Sequence, residues 1–257
     1  MENETEKIEE VNNIITPPTA PTTLTTPVAI IIAGLLIGGG LFFGLKSNKP
    51  VIVDNANLKK QQVANEKPPV QQADIKNVKI EGEPFIGNPN APVTMAYWFD
   101  YQCPYCKRFD KGTISSVVDN YVKNGKVKIV FKDYQFLGPD SNTAGLAARA
   151  VFEIAPDKYY EWHTAMFEKQ DNENSGWGNK KDILALTKSL GIDSVKVAEL
   201  MVSKASQYQQ SMDADKQEGT KLGINGTPGT IIGKQLLAGA ETYSTVQQLI
   251  DSELSSK

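Results

Sequence analysis

The segment Trp98–Asp110, W-F-D-Y-Q-C-P-Y-C-K-R-F-D, holds both cysteines of a 257-residue chain. Three chemistries suit two thiols separated by Pro104 and Tyr105: half of a metal site, a local structural bridge, or a dithiol that cycles. A zinc site would need two further ligands, and the chain has one histidine, His163. A single C-x-x-C with no second pair is weak ground for zinc, so no metal is expected. With no third cysteine, no disulfide framework can exist beside the pair. The favoured reading is a redox-active dithiol, and it depends on what positions Cys103 and Cys106.

The flanking pattern supplies that position. Pro92–Tyr101 is β-branched and aromatic, like a strand buried on both faces. After Cys103, apolar residues fall at Cys106, Phe109, Ile114, Val117, Val118 and Tyr121, a helical period. Lys126–Phe136 alternates like a second strand, so the order strand, helix, strand predicts a βαβ unit with parallel strands. Cys103 then sits where a strand ends and a helix begins, beside unpaired N–H groups and a dipole that favour negative charge. Its thiolate should be stabilised. Pro104 suits the first helical turn because it has no N–H to satisfy. Cys106, one turn in, faces the core within reach of Cys103, so one thiol can exchange with a client and the other can resolve the mixed disulfide.

A helical stretch follows, with apolar stripes at Leu146, Ala147, Ala150, Val151 and Ile154; at Tyr159, Trp162, Met166 and Phe167; at Ile183, Leu186 and Leu190; and at Val197, Leu200, Met201, Tyr208 and Met212. These read as core faces rather than a cofactor box. Short strands return around Gly233, and Thr245–Leu254 closes as a helix. The sheet is thus interrupted by a helical insertion at about 137–218. Before the returning strands stands Gly226-Thr227-Pro228-Gly229, which alone would be a plain turn device.

Taken together, four motifs resemble the DsbA-like thiol–disulfide oxidoreductases of the bacterial envelope. They are F-D-Y-Q-C-P-Y-C at the dithiol, K-Y-Y-E-W-H-T-A-M-F-E-K-Q in the insertion, L-G-I-D, and G-I-N-G-T-P-G-T-I-I-G-K-Q-L-L-A-G-A near the end. The resemblance runs from about Phe85 to the C-terminus. It implies an α/β thioredoxin-like fold with a helical insertion, a catalytic Cys103, a resolving Cys106 and a cis peptide before Pro228. It also implies that Pro228 packs on the dithiol while Thr227 offers backbone hydrogen bonds to an extended substrate. No cofactor beyond the Cys103–Cys106 disulfide is implied. Two positions depart from the family pattern: Tyr105 stands where many members have histidine, and Tyr97 where many have a buried glutamate that relays protons. Asp100 is a candidate relay instead, although a strand-end aspartate is as often a turn residue, and His163 reads as structural.

The N-terminal part is organised differently. Residues 1–27 read as a polar, disordered tail rich in Glu, Thr and Pro. Val28–Leu45 carries no charge and would be about 27 Å long as a helix, close to a hydrocarbon core of about 30 Å. One membrane-spanning anchor is therefore expected, with Gly34/Gly38 and Gly40/Gly44 able to pair two copies into a homodimer. A cleaved signal peptide is the rival, against which stand the late start and the missing basic n-region. Residues 46–82, rich in Asn, Gln, Lys and Pro, read as a flexible linker to a domain at 83–257. Lys46, Lys49, Lys59 and Lys60 follow the span while only Lys7 precedes it, which would put the domain in the cytoplasm. Long domains cross largely regardless of charge, and the resemblance points outward, so an extracytoplasmic domain is expected.

A net charge of -3 gives no electrostatic footprint for nucleic acid. The expected function is oxidation of cysteine pairs in exported proteins, with reoxidation by a quinone-linked membrane partner implied by the resemblance. The same dithiol could run as a reductase or isomerase. C-P-Y-C also occurs in glutaredoxins, against which the insertion and the apolar span argue. A peptide-binding, chaperone-like module is the reading from another class; it would not need the thiols.

Overall fold

The computed structural model describes residues 71–256, all within one compact unit. The predicted tail and membrane span lie outside the described residues, among which no helix is long and apolar enough to cross a membrane.

The strand that leads to the cysteines is the third in the chain, β3, Val93–Phe99. All of its residues except Thr94 are buried, as its aromatic and β-branched composition requires of a central strand. Its neighbours are β4, Val127–Asp133, which runs parallel to it, and β5, Gly229–Ile232, which runs antiparallel. A parallel neighbour demands a crossover. Here it is α1, Pro104–Phe109, continued through a π-helical turn at Asp110–Ile114, a short α turn at Ser115–Val117 and a second π-helical stretch at Val118–Val122.

Three further strands complete the sheet. β6, Gln235–Ala238, forms a hairpin with β5 through Gly233 and Lys234. Gly233 has φ +57, and a Cβ there would run into the Glu253 carboxylate, so both backbone and space call for glycine. β1, Gln71–Gln72, pairs with β6, and β2, Phe85–Ile86, pairs with β4, giving the order β1-β6-β5-β3-β4-β2. The first ordered strand therefore lies inside the stretch expected to be linker. Ala73 and Val78 are buried against Ala96, Trp98 and Ile231, so the packed domain starts about ten residues before Glu83 rather than at it. Two-residue strands carry too little pattern to be read from sequence.

The helical insertion occupies the stretch between β4 and β5. It comprises α2, Pro139–Ile154; α3, Tyr159–Lys169; α4, Lys180–Ser189; α5, Ser194–Ser203; and α6, Ala205–Lys221. Each apolar stripe turns inward: Ala147, Ala150 and Val151, then Tyr159, Trp162, Met166 and Phe167, then Ile183, then Val197, Leu200 and Met201 all join the main core. α7, Tyr243–Ser255, closes the domain on the same face of the sheet as Met95, Tyr97 and Phe99. On the opposite face α6 lies against Trp98, whose Nε1 donates to the Asp215 carbonyl at 3.0 Å. Gly219 makes that approach possible, since a Cβ there would stand 2.8 Å from the indole nitrogen.

The alternation of β4 hides a buried charge. Lys132, which reads as a solvent-facing position, is fully buried with Glu83, Asp215 and Glu218 around its ammonium group. Arg149 of α2 joins the cluster, donating to Asp133 and Asp215 at 2.6 Å and to Glu83 at 2.9 Å. Burial and the neighbouring Asp133 and Glu83 push Asp215 up to about 7, against the pull of Lys132 and Arg149. Four carboxylates surround two buried cations here, so the cluster favours holding a proton.

Candidate active site

Cys103 is the N-cap of α1, with Pro104 at the first helical position. Its backbone closes a tight turn, Cys103 N donating to the Asp100 carbonyl at 3.1 Å, and its own carbonyl accepts from Lys107 N at 3.2 Å. The predicted placement at a strand-to-helix junction is thus the observed one. Cys106 is completely buried one turn further on, and both residues are free thiols.

The two sulfurs are driven apart in acidity. Cys103 is lowered to about 6, first by the hydrogen bond from the Cys106 thiol, then by the Thr227 side chain and the backbone of Cys106 and Tyr105, against the opposing effect of burial. Cys106 is pushed well above the ordinary thiol range, first by burial and then by the neighbouring Cys103 sulfur. At neutral pH the pair is therefore one thiolate at Cys103, a residue only 4% exposed, and one thiol at the fully buried Cys106. Such a pair can exchange with an external disulfide or thiol, with Cys103 as both the reactive and the better leaving sulfur.

The expected cis peptide between Thr227 and Pro228 is present. In its thiol form Cys103 Sγ donates to the Thr227 carbonyl at 3.4 Å, which places this loop directly over the dithiol. The Thr227 hydroxyl is buried without a hydrogen-bond partner and lies close enough to both sulfurs to favour their ionised forms. The loop also lines a pocket of about 310 Å³ with Ile224, Gly229 and Leu236. Tyr105 is 57% exposed, with the Arg108 guanidinium 5.1 Å from its ring centre, so this side chain is presented to solvent next to the dithiol.

Asp100 is brought near the cysteines, but its carboxylate is engaged elsewhere. Oδ1 accepts from Gln102 N at 2.8 Å; Oδ2 accepts from Phe136 N at 3.0 Å, Leu137 N at 3.2 Å and Ser141 Oγ at 2.6 Å. This geometry clamps the end of β3 to the approach of α2, in line with the turn role weighed beside the relay. His163 is fully buried among aromatic rings, 4.6 Å from Phe131 and 4.9 Å from Phe99 between centres. Its Nδ1 bonds the Tyr101 hydroxyl and its Nε2 the Asp110 carboxylate, both at 2.9 Å. Although distant in sequence, it therefore lies one layer behind the dithiol.

Gln170 was not singled out by sequence reasoning. From the end of α3 its side chain donates to the Tyr101 carbonyl at 2.6 Å and the Cys103 carbonyl at 3.0 Å, holding the turn that presents the reactive sulfur. It closes the K-Y-Y-E-W-H-T-A-M-F-E-K-Q motif, a signal that could have marked it.

This geometry has close counterparts. A thioredoxin family model matches residues 79–252. The disulfide bond formation protein D of Bacillus subtilis is 28% identical over 181 residues, covering 69% of this chain and 80% of that protein. Among solved structures, oxidised BdbD from Bacillus subtilis aligns with TM-score 0.62 and 26% identity, over 72% of this chain and 97% of that one. The thiol-disulfide exchange protein alpha-DsbA2 from Wolbachia pipientis aligns with TM-score 0.59 and 28% identity, over 66% and 86%. With the cap cysteine, the buried partner and the cis Thr227–Pro228 loop in one place, the chain belongs to the thioredoxin family as a DsbA-like thiol–disulfide oxidoreductase.

Proposed function

We propose that the chain is a membrane-anchored oxidase that introduces disulfides into exported proteins through Cys103 and Cys106. The observation that carries the direction is the acid-shifted Cys103 over a buried Cys106 thiol. A stabilised thiolate favours the reduced enzyme, and a disulfide whose reduced form is stabilised is a strong oxidant.

The reaction follows from the placement of the sulfurs. A client thiolate attacks Cys103 Sγ of the enzyme disulfide, and the electron pair of the S–S bond leaves on Cys106, which takes up a proton. The client's second thiolate then attacks its own sulfur in the mixed disulfide, and Cys103 leaves as a thiolate. The client loses two electrons and the enzyme pair gains them. Thr227 and Pro228 would receive the extended client segment beside the reactive sulfur. A proton relay through Asp100 would have to break one of the four hydrogen bonds its carboxylate now accepts.

Anchoring rests on the uncharged run Val28–Leu45, and an extracytoplasmic domain on the kinship with disulfide bond formation protein D. External protease applied to intact cells should remove the domain; a protected domain would place it in the cytoplasm. The quinone-linked reoxidant and a homodimer through the glycine-rich span are further parts of the proposal, supported by family resemblance and by Gly34, Gly38, Gly40 and Gly44 respectively.

Direction is tested by equilibrating the pair against glutathione buffers. A potential near about -120 mV supports donation of disulfides, and one near about -270 mV makes the protein a reductase. The peptide-binding reading is separated by Cys103→Ser, which should abolish the oxidase and leave a chaperone intact.

A further inference from the structure

The reaction leaves a question of charge: Cys106 is completely buried, yet it must gain a proton when the disulfide opens and lose it when the disulfide closes. Its surroundings contain three buried polar atoms without hydrogen-bond partners, the Thr227 hydroxyl described above, the Tyr97 hydroxyl and Asp110 Oδ1. Buried polar atoms left unpaired are uncommon and costly. The Tyr97 hydroxyl lies close to this thiol. Asp110 follows Cys106 by four residues and so shares its helical face, at the point where α1 widens into its first π-helical turn. Tyr97 projects from β3 beneath that helix, its ring 5.5 Å from Phe109, and its hydroxyl faces both Cys106 and Asp110.

We propose that Tyr97 and Asp110 carry the Cys106 proton: the hydroxyl accepts it from the thiol while passing its own to the carboxylate, and returns it in the reverse step. Burial and the nearby Cys106 and Asp110 hold the Tyr97 hydroxyl protonated, so it works by exchanging one donated bond for another rather than by ionising. The second carboxylate oxygen is held by His163 Nε2 at 2.9 Å, with Tyr101 at the far side of the ring, which leaves Oδ1 as the oxygen without a partner. The titratable groups facing Asp110 are Tyr97 from β3, Tyr101 from the following turn, and Tyr159, Tyr160 and His163 from α3. Those facing Cys106 are Cys103 and Tyr97. When the disulfide closes, the Cys106 electron pair forms the new S–S bond to Cys103. The group previously on Cys103 leaves as a thiolate, and the Cys106 proton ends on Asp110.

The proposal rests on the thiol–disulfide reading, and one experiment separates the two. The reduced full-length protein is mixed with dithionitrobenzoate, an aromatic disulfide that releases a coloured thiolate. Attack by Cys103 gives a first release; attack by Cys106 on the resulting mixed disulfide gives a second. If the wild type shows no first release that levels off above about pH 6, the Cys103 assignment itself fails. Asp110→Asn, which keeps an acceptor for His163, should leave the first release unchanged and slow the second by about 100-fold. In the variant the second rate should climb more steeply with pH than in the wild type, because solvent must take the proton. Tyr97→Phe should do the same. Since that hydroxyl bonds no oxygen or nitrogen, its removal costs the fold no such bond, and it carries the test if Asp110→Asn does not fold. A second release with wild-type rate and pH profile in these variants overturns the proposal. So does an equal slowing of both releases, which would indicate a general disturbance of the dithiol.

Discussion

The side chain of Gln170 donates to the backbone carbonyl of Cys103 at 3.0 Å. Through this bond the insertion reaches across to the reactive turn and holds it by its main chain rather than by its sulfur. Gln170→Leu removes two hydrogen bonds and leaves the buried Tyr101 and Cys103 carbonyls with one partner fewer. We expect a loss of about 1–3 kcal/mol in urea unfolding, together with a slower reaction of Cys103 with clients. An unchanged unfolding midpoint would show that the turn is held by other means.

The reactivity of Cys103 should titrate with a midpoint of about 6, and iodoacetamide should modify it while sparing Cys106. The sign for stability follows. Cys103 ionises more readily folded than unfolded, so its thiolate stabilises the reduced protein fully above its unfolded pKa near 9, and this is lost as pH falls through about 6. The stability of the reduced form relative to the oxidised form should therefore rise with pH across that window. Parallel melting curves of the two forms check it; a flat difference would remove the basis for a stabilised thiolate.

Asp100→Asn distinguishes a clamp from a relay. As a clamp, the carboxylate accepts from Phe136 N, Leu137 N and Ser141 Oγ, and weakening these charge-assisted bonds should cost about 1.5–3 kcal/mol. The pH profile of thiol exchange should stay where it was. A shifted profile at unchanged stability would restore the relay.

Arg149→Met leaves Glu83, Asp133 and Asp215 buried without the guanidinium that ties them together. Breaking a buried pair from one side is costly, and we expect about 3–5 kcal/mol by chemical unfolding. The Cys103 midpoint should remain near about 6, because this cluster is not among the groups that set it. A large shift in that midpoint would show the cluster to be part of the redox site.

What could be read in the sequence follows from how much pattern each element carries. β3, α1, β4 and the insertion show their periods over many residues, and the cysteine spacing needs no tertiary information. β1 and β2 have two residues each and no period at all. Lys132 misleads because alternation normally sends a lysine outward, whereas here β4 is central and α6 covers its second face. The roles of Gln170 and Asp110 are set by partners 67 and 53 residues away, a distance that no local rule spans.

The chain enters its domain through β1, which lies at the sheet's edge and is paired only with β6. Tension on whatever precedes residue 71 would first load that short pairing, together with the bonds from Ala73 N to the Lys234 carbonyl and from Ile75 N to the Gly233 carbonyl. These can peel away one at a time, while β3 and its junction with α1 lie three strands in from β1, beyond β6 and β5. Such a pull would be spent at the edge of the sheet before it reached the turn that carries Cys103.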